Sequence, residues 1–507
     1  MAERREQQLD HFPFEKSPLY CVIPIYVFYI ILGFLEPDHR RRLSHTNKCH
    51  RHYVLKSKLP IYGKFKPEYF HRYIYDDDAF REQVPALSRV HNLTLDRGVL
   101  RDVSALSSVH TLTLYGVDGV TDVSALSRVH ILSLSVMDGV TDVSALSTVH
   151  TLTLMYMRGV TDVSALSRVH TLYLNVPRVT DVSALSSVHT LTLREMPGVT
   201  DVSALSTVHN LSLKNLPIVR DVSALSSVHT LTLYGMDGVT DVSALGLGKV
   251  HKLTLDRIPG VTDVSALSSV HKLTLGEMPG VTDVSALFSV HTLTLREMPG
   301  VTDVSALGLG KVHTLTLEEM PGVTDVSALS KSTVLNTLTL KHMAGVTDVS
   351  GLITVNTTLE GLPRVTKVSA LSTVHKQTLT LLDMPGVRDV SALSTVHTLT
   401  LRNMDEVRDV SALSKVYDLT LEEMGGVRDV SALSSVHTLC LKDTPSVKDV
   451  SALSTVQDLT LEDITGVRDV SALSTVPTLG FGGYLGFNSH NLWELNMARK
   501  KLGYHRV

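Results

Sequence analysis

The sequence predicts a repeat solenoid: short stacked coils with a parallel sheet on the concave side, little helix on the convex side and a small α-helical segment in front. Three observations predict it. First, the string Val-Ser-Ala-Leu recurs, placing a leucine at 106, 126, 146, 166, 185, 205, 225, 245, 267, 287, 307 and 329. After an irregular coil at Leu352 it resumes at 371, 393, 413, 433, 453 and 473. The dominant step is 20 residues, and two of the steps of 22 hold insertions, Gly246-Leu247-Gly248-Lys249 and Gly308-Leu309-Gly310-Lys311. Second, the apolar positions of one coil (Val109, Leu112, Leu114, Val117, Val120, Val123, Leu126) are spaced by threes with a single step of two. Third, only 5% of the 507 residues are aromatic, and 8 of the 15 tyrosines precede residue 80. A core without large rings must be narrow and regular, so a length that ordinarily means several domains reads here as about twenty coils between residues 84 and 480.

Each element of the coil follows from this spacing. The two-step His110-Thr111-Leu112-Thr113-Leu114 is a short strand, with leucines pointing one way and threonines the other. The run of three-steps is too tight for an α-helical face and predicts extended or 3-10 turns. Gly119, and Pro-Gly as at Pro197-Gly198, mark the bend after the strand. Seven buried side chains cannot offset the ordering of twenty residues, so a coil folds only when stacked on its neighbours.

These residues resemble the leucine-rich repeats, in a short form with no room for a convex helix. The family's asparagine after the strand is replaced by Val117, Met196, Leu216, Ile258 and Met320, which is similar to the cysteine-containing variant, and the Gly198–Leu205 segment also resembles the internalin type. The resemblance implies a leucine-rich-repeat β-solenoid.

Polar residues repeat as well. Histidine follows the opening valine in fifteen coils, from His91 to His437, which predicts a column of stacked rings about 4.8 Å apart. No carboxylate or cysteine accompanies these histidines at a ligand-like offset, so no metal is expected. Aspartate recurs in eighteen coils, from Asp102 to Asp469, within Asp-Val-Ser, the signature of an Asx-turn. The positions after the strand vary most between coils. A fixed frame with variable charged residues along one edge is what a recognition surface requires. The candidate ligand-binding residues are Arg194, Glu195, Lys214, Asn215, Arg257, Arg296, Glu297, Glu318, Glu319 and Arg402, reading a protein target on the concave face. The serines recur in every coil, so none is a distinct nucleophile. No catalytic residue, cofactor or enzymatic activity is expected. A net charge of −4 offers no general field for nucleic acid.

The first 83 residues differ. Residues 1–17 read as a flexible N-terminus. Residues 18–35 carry no charge and contain Pro24, and eighteen residues is the bare minimum for a membrane span. The segment 18–52 also resembles an F-box. Ile23-Pro24, Ile31-Leu32, Leu35-Glu36-Pro37-Asp38 and Arg42-Leu43 stand at that family's spacings, although Ile25-Tyr26 replace its acidic pair and its closing tryptophan is missing. The F-box resemblance implies docking of a Skp1-like adaptor through Ile23, Pro24, Ile31, Leu32, Leu35 and Pro37. The repeats then present a substrate to a cullin-type ubiquitin ligase, and the chain is cytoplasmic. The alternative is a membrane-anchored or surface leucine-rich-repeat binding protein, with residues 18–35 as the anchor. Residues 53–83 read as a linker and N-terminal cap. Residues 481–507 read as a C-terminal cap, in which Leu492, Trp493, Leu495, Met497 and Leu502 cover the last coil while Arg499, Lys500 and Lys501 stay solvated.

Overall fold

The architecture comes from a computed structural model that describes residues 70–73, 91–350, 352, 356–369, 371 and 378–504. The F-box-like or membrane segment and all six of its adaptor residues lie outside the described residues. The chain forms two compact units divided after Val179.

In the first unit, β1 (Phe70–Tyr73), β2 (Asn92–Val99), β3 (Thr111–Asp118), β4 (Ile131–Ser135), β5 (Thr151–Met155) and β6 (Thr171–Asn175) pair in parallel. The aromatic stretch expected to be linker and cap therefore supplies a strand, with Phe70 opposite Leu93.

The second unit opens with β7 (Thr190–Arg194), β8 (Asn210–Lys214), β9 (Thr230–Tyr234), β10 (Lys252–Asp256) and β11 (Lys272–Gly276). It continues through β12 (Thr292–Arg296), β13 (Thr314–Glu318), β14 (Thr337–Lys341), β15 (Asn356–Glu360) and β16 (Thr378–Leu382). It closes with β17 (Thr398–Arg402), β18 (Asp418–Glu422), β19 (Thr438–Lys442), β20 (Asp458–Glu462) and β21 (Thr478–Gly482). The register is flush throughout, so Leu253, Leu273 and Leu293 stack directly over one another, as do Leu255, Leu275 and Leu295. Both leucine files are fully buried, and the threonines between them face solvent. Thr357 takes a leucine's place in β15 and is equally buried. The apolar residues standing where the family carries asparagine, such as Met196, Leu216 and Ile258, are buried too.

The chain returns through a 3-10 turn in nearly every coil; Ser124–Arg128 is typical, with Leu126 buried. In the coil carrying the first insertion this turn is a five-residue α-helix, α1 (Ser243–Leu247). Two hydrogen-bond files hold the turns. In all eighteen coils the aspartate of Asp-Val-Ser accepts the serine N–H at 2.7–2.9 Å, as the Asx-turn signature predicts. The second file links coil to coil. The hydroxyl of Thr148 donates to the Ser127 carbonyl at 2.7 Å, Thr207 to Ser186 at 2.6 Å and Ser227 to Ser206 at 2.7 Å.

Among the described residues, the one after the fifth strand position adopts positive φ in fifteen non-glycine cases, Glu195, Arg257, Glu297 and even Val136 among them. This left-handed conformation costs an L-residue roughly 1–2 kcal/mol. A hydrogen bond to the next coil compensates: the N–H of Glu195 donates to the Lys214 carbonyl at 3.0 Å, and that of Val136 to Met155 at 2.9 Å. The intercoil ladder thus runs one residue past each strand.

Histidine rings stack as the repeat predicts. In the first unit the centroids from His91 to His170 are 4.4–4.8 Å apart. In the second, those from His189 to His313 are 4.3–5.2 Å apart, and Tyr417 is sandwiched between His397 and His437.

The C-terminal cap departs from expectation. Helix α2 (Ser489–Lys501) is capped by Asn488, which accepts the His490 and Asn491 N–H groups. Leu495 is buried, but Trp493 is 59% exposed, and Met497 and Leu502 also face outward. Arg499, expected in solvent, is 2% exposed and donates to the Val476 and Pro477 carbonyls at 2.6 and 3.3 Å. Backbone carbonyls of the last coil accept these donors, which a guanidinium supplies and a leucine cannot.

Among the described residues no helix is long and apolar enough to cross a membrane, and no group of three or more His, Cys, Asp or Glu is placed to hold a metal ion.

Two predictions follow from these files. Val136→Gly removes a β-branched residue from left-handed backbone and should stabilise the chain by up to about 1 kcal/mol, read as a higher urea midpoint; a clear loss of stability contradicts the argument. The second concerns pH. Desolvation between neighbouring rings, then the charges of the flanking histidines, lowers the pKa of His110 and of His291 from 6.5. The folded chain prefers these rings neutral, so their contribution is intact above 6.5 and declines as pH falls through that range. At Asp122 the Ser124 N–H, then its hydroxyl, holds the carboxylate below 3.8 against repulsion from Asp142 and Asp102. That contribution is present above 3.8 and is lost as pH falls through the lower folded value. The melting temperature should therefore drop between about pH 7.5 and about pH 5.5, and again below about pH 4. An unchanged melt across the first interval overturns the histidine account.

Candidate recognition surface

Two adjoining rows of side chains run across the strands where the chain leaves the sheet. The first is the fifth strand residue, which shares the solvent-facing side with the threonines because the leucines take the alternate positions. The second is the left-handed residue that follows. Of the sequence-predicted residues, Arg194, Lys214, Arg296, Glu318 and Arg402 stand in the first row, and Glu195, Asn215, Arg257, Glu297 and Glu319 in the second.

The structure brings many of them into ion pairs. Arg194 contacts Glu195 at 2.9 Å, and Arg257 contacts Glu277 at 2.7 Å while its guanidinium lies 5.3 Å from the centre of the Tyr234 ring. Arg296 reaches two coils back to Asp256 at 2.5 Å. It does so over Gly276, where an added Cβ would approach Asp256 and the guanidinium at 3.2–3.3 Å. Asp256 is 8% exposed, and its Oδ1 has no partner among the described residues. Lys341 pairs with Glu360, and Lys442 with Glu422, each at 2.8 Å across neighbouring strands. Hydrogen bonding to these carboxylates raises both lysine pKa values.

Sequence reasoning named Glu318 and Arg402 as ligand contacts but left Glu277, Glu360, Lys442 and Asp383 unnamed. Glu360 and Lys442 stand in the first row and Glu277 and Asp383 in the second, where Asp383 accepts from the Asn403 amide at 2.6 Å. Counting positions from the strand leucines would have found them. Arg194 and Lys214 differ from the alternating pairs: they are direct register neighbours of like charge, followed by Tyr234.

The structure of the TLR13–ssRNA13 complex is similar to this chain, with a TM-score of 0.50 at 14% identity over 82% of this chain and 78% of that one. A leucine-rich-repeat protein of Leptospira interrogans gives 0.42 at 13% identity over 84% and 98%, and an internalin from Listeria monocytogenes 0.24 at 19% over 75% and 87%. No protein-family model matches the chain, and no curated protein matches it in sequence. The likeness to the TLR13 structure, with the flush strands and 3-10 returns described above, establishes a leucine-rich-repeat solenoid; at such identities it speaks for fold alone.

Arg296→Met should cost about 1–3 kcal/mol, because it leaves the Asp256 carboxylate buried without its partner. Adding Asp256→Asn should recover most of the loss. A double-mutant cycle with coupling near zero contradicts the pairing.

Proposed function

We propose that the chain is a recognition scaffold whose protein partner lies across the solvent-facing side of the sheet and its two exit rows. One observation carries this reading: in coils that otherwise repeat nearly verbatim, side-chain identity changes at two adjoining positions, and flush register sets those positions side by side. Proteins of leucine-rich-repeat fold generally act through protein–protein contacts. The TLR13 structure is of a complex with single-stranded RNA. In this chain the first row alternates in sign through Arg296, Glu318, Lys341 and Glu360, and again through Arg402, Glu422, Lys442 and Glu462. Such a row repels a polyanion as much as it attracts one, which favours a protein with its own charge pattern. Arg194 and Tyr234, of residue types enriched among binding anchors, are where the partner gains most, with Lys214 adding charge between them.

The finer reading is a substrate receptor of a cullin-type ubiquitin ligase, with residues 18–52 docking a Skp1-like adaptor through Ile23, Pro24, Ile31, Leu32, Leu35 and Pro37. It rests on the F-box-like spacing of those residues. The uncharged stretch 18–35 supports a second reading, a membrane-anchored binding protein.

Co-precipitation of the full chain with a purified Skp1-like adaptor, lost in a Pro24→Ala/Leu35→Asp variant, is the expected result. Retention of the chain in the membrane pellet after alkaline extraction overturns the adaptor reading in favour of the anchor.

A further inference from the structure

Four consecutive coils of the second unit, those of Leu245, Leu267, Leu287 and Leu307, depart from the repeat in two ways at once. Both departures fall on the edge where the chain enters the strands, opposite the exit rows. In most other described coils this edge carries small hydroxyl residues, several of which donate to the preceding coil, with Arg128, Arg168, Lys331 and Lys415 as basic exceptions. In the coils of Leu245 and Leu307, Gly-Leu-Gly-Lys replaces them, and the Lys249 and Lys311 backbone N–H groups take over the donor role toward the Ser226 and Phe288 carbonyls, both at 2.6 Å. Gly246 and Gly248 press so closely on Ala266 and Ser226 that no side chain fits, and Gly308 and Gly310 do the same against Ala328 and Phe288. With the glycines held against the stack, the leucines between them are extruded: Leu247 is 85% exposed and Leu309 72%. Phe288 stands where other coils have serine and is 46% exposed.

The second departure is charge. Lys252 and Lys272 open β10 and β11, where most strands open with threonine, and they are direct register partners. With Lys249 and Lys311 they make four exposed lysines on one edge, none in an ion pair among the described residues. The nearby acids are engaged elsewhere. Asp256 is tied to Arg296, and Asp241, Asp263, Asp283 and Asp303 accept serine N–H groups at the far end of each return turn.

We propose that this edge docks on the surface of an anionic phospholipid bilayer. Leu247, Phe288 and Leu309 enter the interface, and Lys249, Lys252, Lys272 and Lys311 reach the headgroup phosphates. The protrusion decides between a bilayer and a protein. A folded partner must offer a fitted pocket to each of three outward tips, whereas a bilayer interface admits apolar tips at any spacing. Lysine stems are long enough to hold their ammonium groups at phosphate level beside inserted leucines. This surface is separate from the exit rows and from residues 18–35.

The test is co-sedimentation of the full chain with phosphatidylcholine vesicles, with and without phosphatidylserine. Two variants are compared with the parent: Leu247→Asp/Leu309→Asp, and Lys249→Glu/Lys252→Glu/Lys272→Glu/Lys311→Glu. All these side chains lie outside the core, so the thermal melt should be unchanged in both. Phosphatidylserine-dependent binding that either variant weakens by at least about tenfold supports the proposal. Absence of phosphatidylserine-dependent binding overturns it. So does binding that both variants leave intact, which would locate it elsewhere in the chain. Binding of soluble polyglutamate without vesicle binding overturns it in favour of an acidic protein partner.

Discussion

The structure depends on one constraint: each coil must lie flush on the next, so that backbone groups of one find partners in the other. The leucines make this favourable by burying one another in straight files, and the hydrogen bonds fix the register. Everything else accommodates that requirement. The ladder continues past the strand, and to reach it the residue after the strand turns left-handed even when it is Glu, Arg or Val. On the return side, hydroxyls bridge to the preceding coil's carbonyls, and where insertions remove the hydroxyl a backbone N–H takes its place.

How far the sequence announces these features depends on whether they arise within a coil or between coils. The leucine alternation specifies the strands, and the aspartate two residues before serine specifies the turns; both are local and were legible. The left-handed residue was not, because Glu195, Arg257 and Glu319 have no intrinsic preference for it and adopt it for a bond made to another coil. The Arg296–Asp256 pair was hidden for a similar reason: its partners are 40 residues apart and meet only because Gly276 intervenes with no side chain. Arg499 misled through its charge. A guanidinium is the right group to close a stack that ends in carbonyls, although composition alone places it in water. The candidate site was half legible: the variable positions were identified, but their division into two rows and their mutual pairing needed the register.

That register also gives the sheet two unlike edges. Where strands end, charges alternate from Arg296 to Glu360 and from Arg402 to Glu462, whereas Arg194 and Lys214 are register neighbours of like charge followed by Tyr234. Where strands begin, stacked histidines run mostly beside hydroxyls, and four consecutive coils concentrate lysines there together with extruded leucines. A repeat that preserves its core so closely can vary either edge while the stack persists, since a substitution there touches only the one or two coils beside it. The fold thereby separates what holds the molecule together from what it presents to a partner.

The most direct test of the central constraint is amide hydrogen exchange at the left-handed positions. Glu297, Glu319 and Asp443 lie beyond the ends of their strands, yet their N–H groups donate to the next coil at 2.9–3.0 Å. They should exchange as slowly as the strand amides of Leu295, Leu317 and Leu441, opening only when the coils separate. Exchange at the rate of ordinary exposed turns would contradict an intercoil ladder that extends beyond the strands.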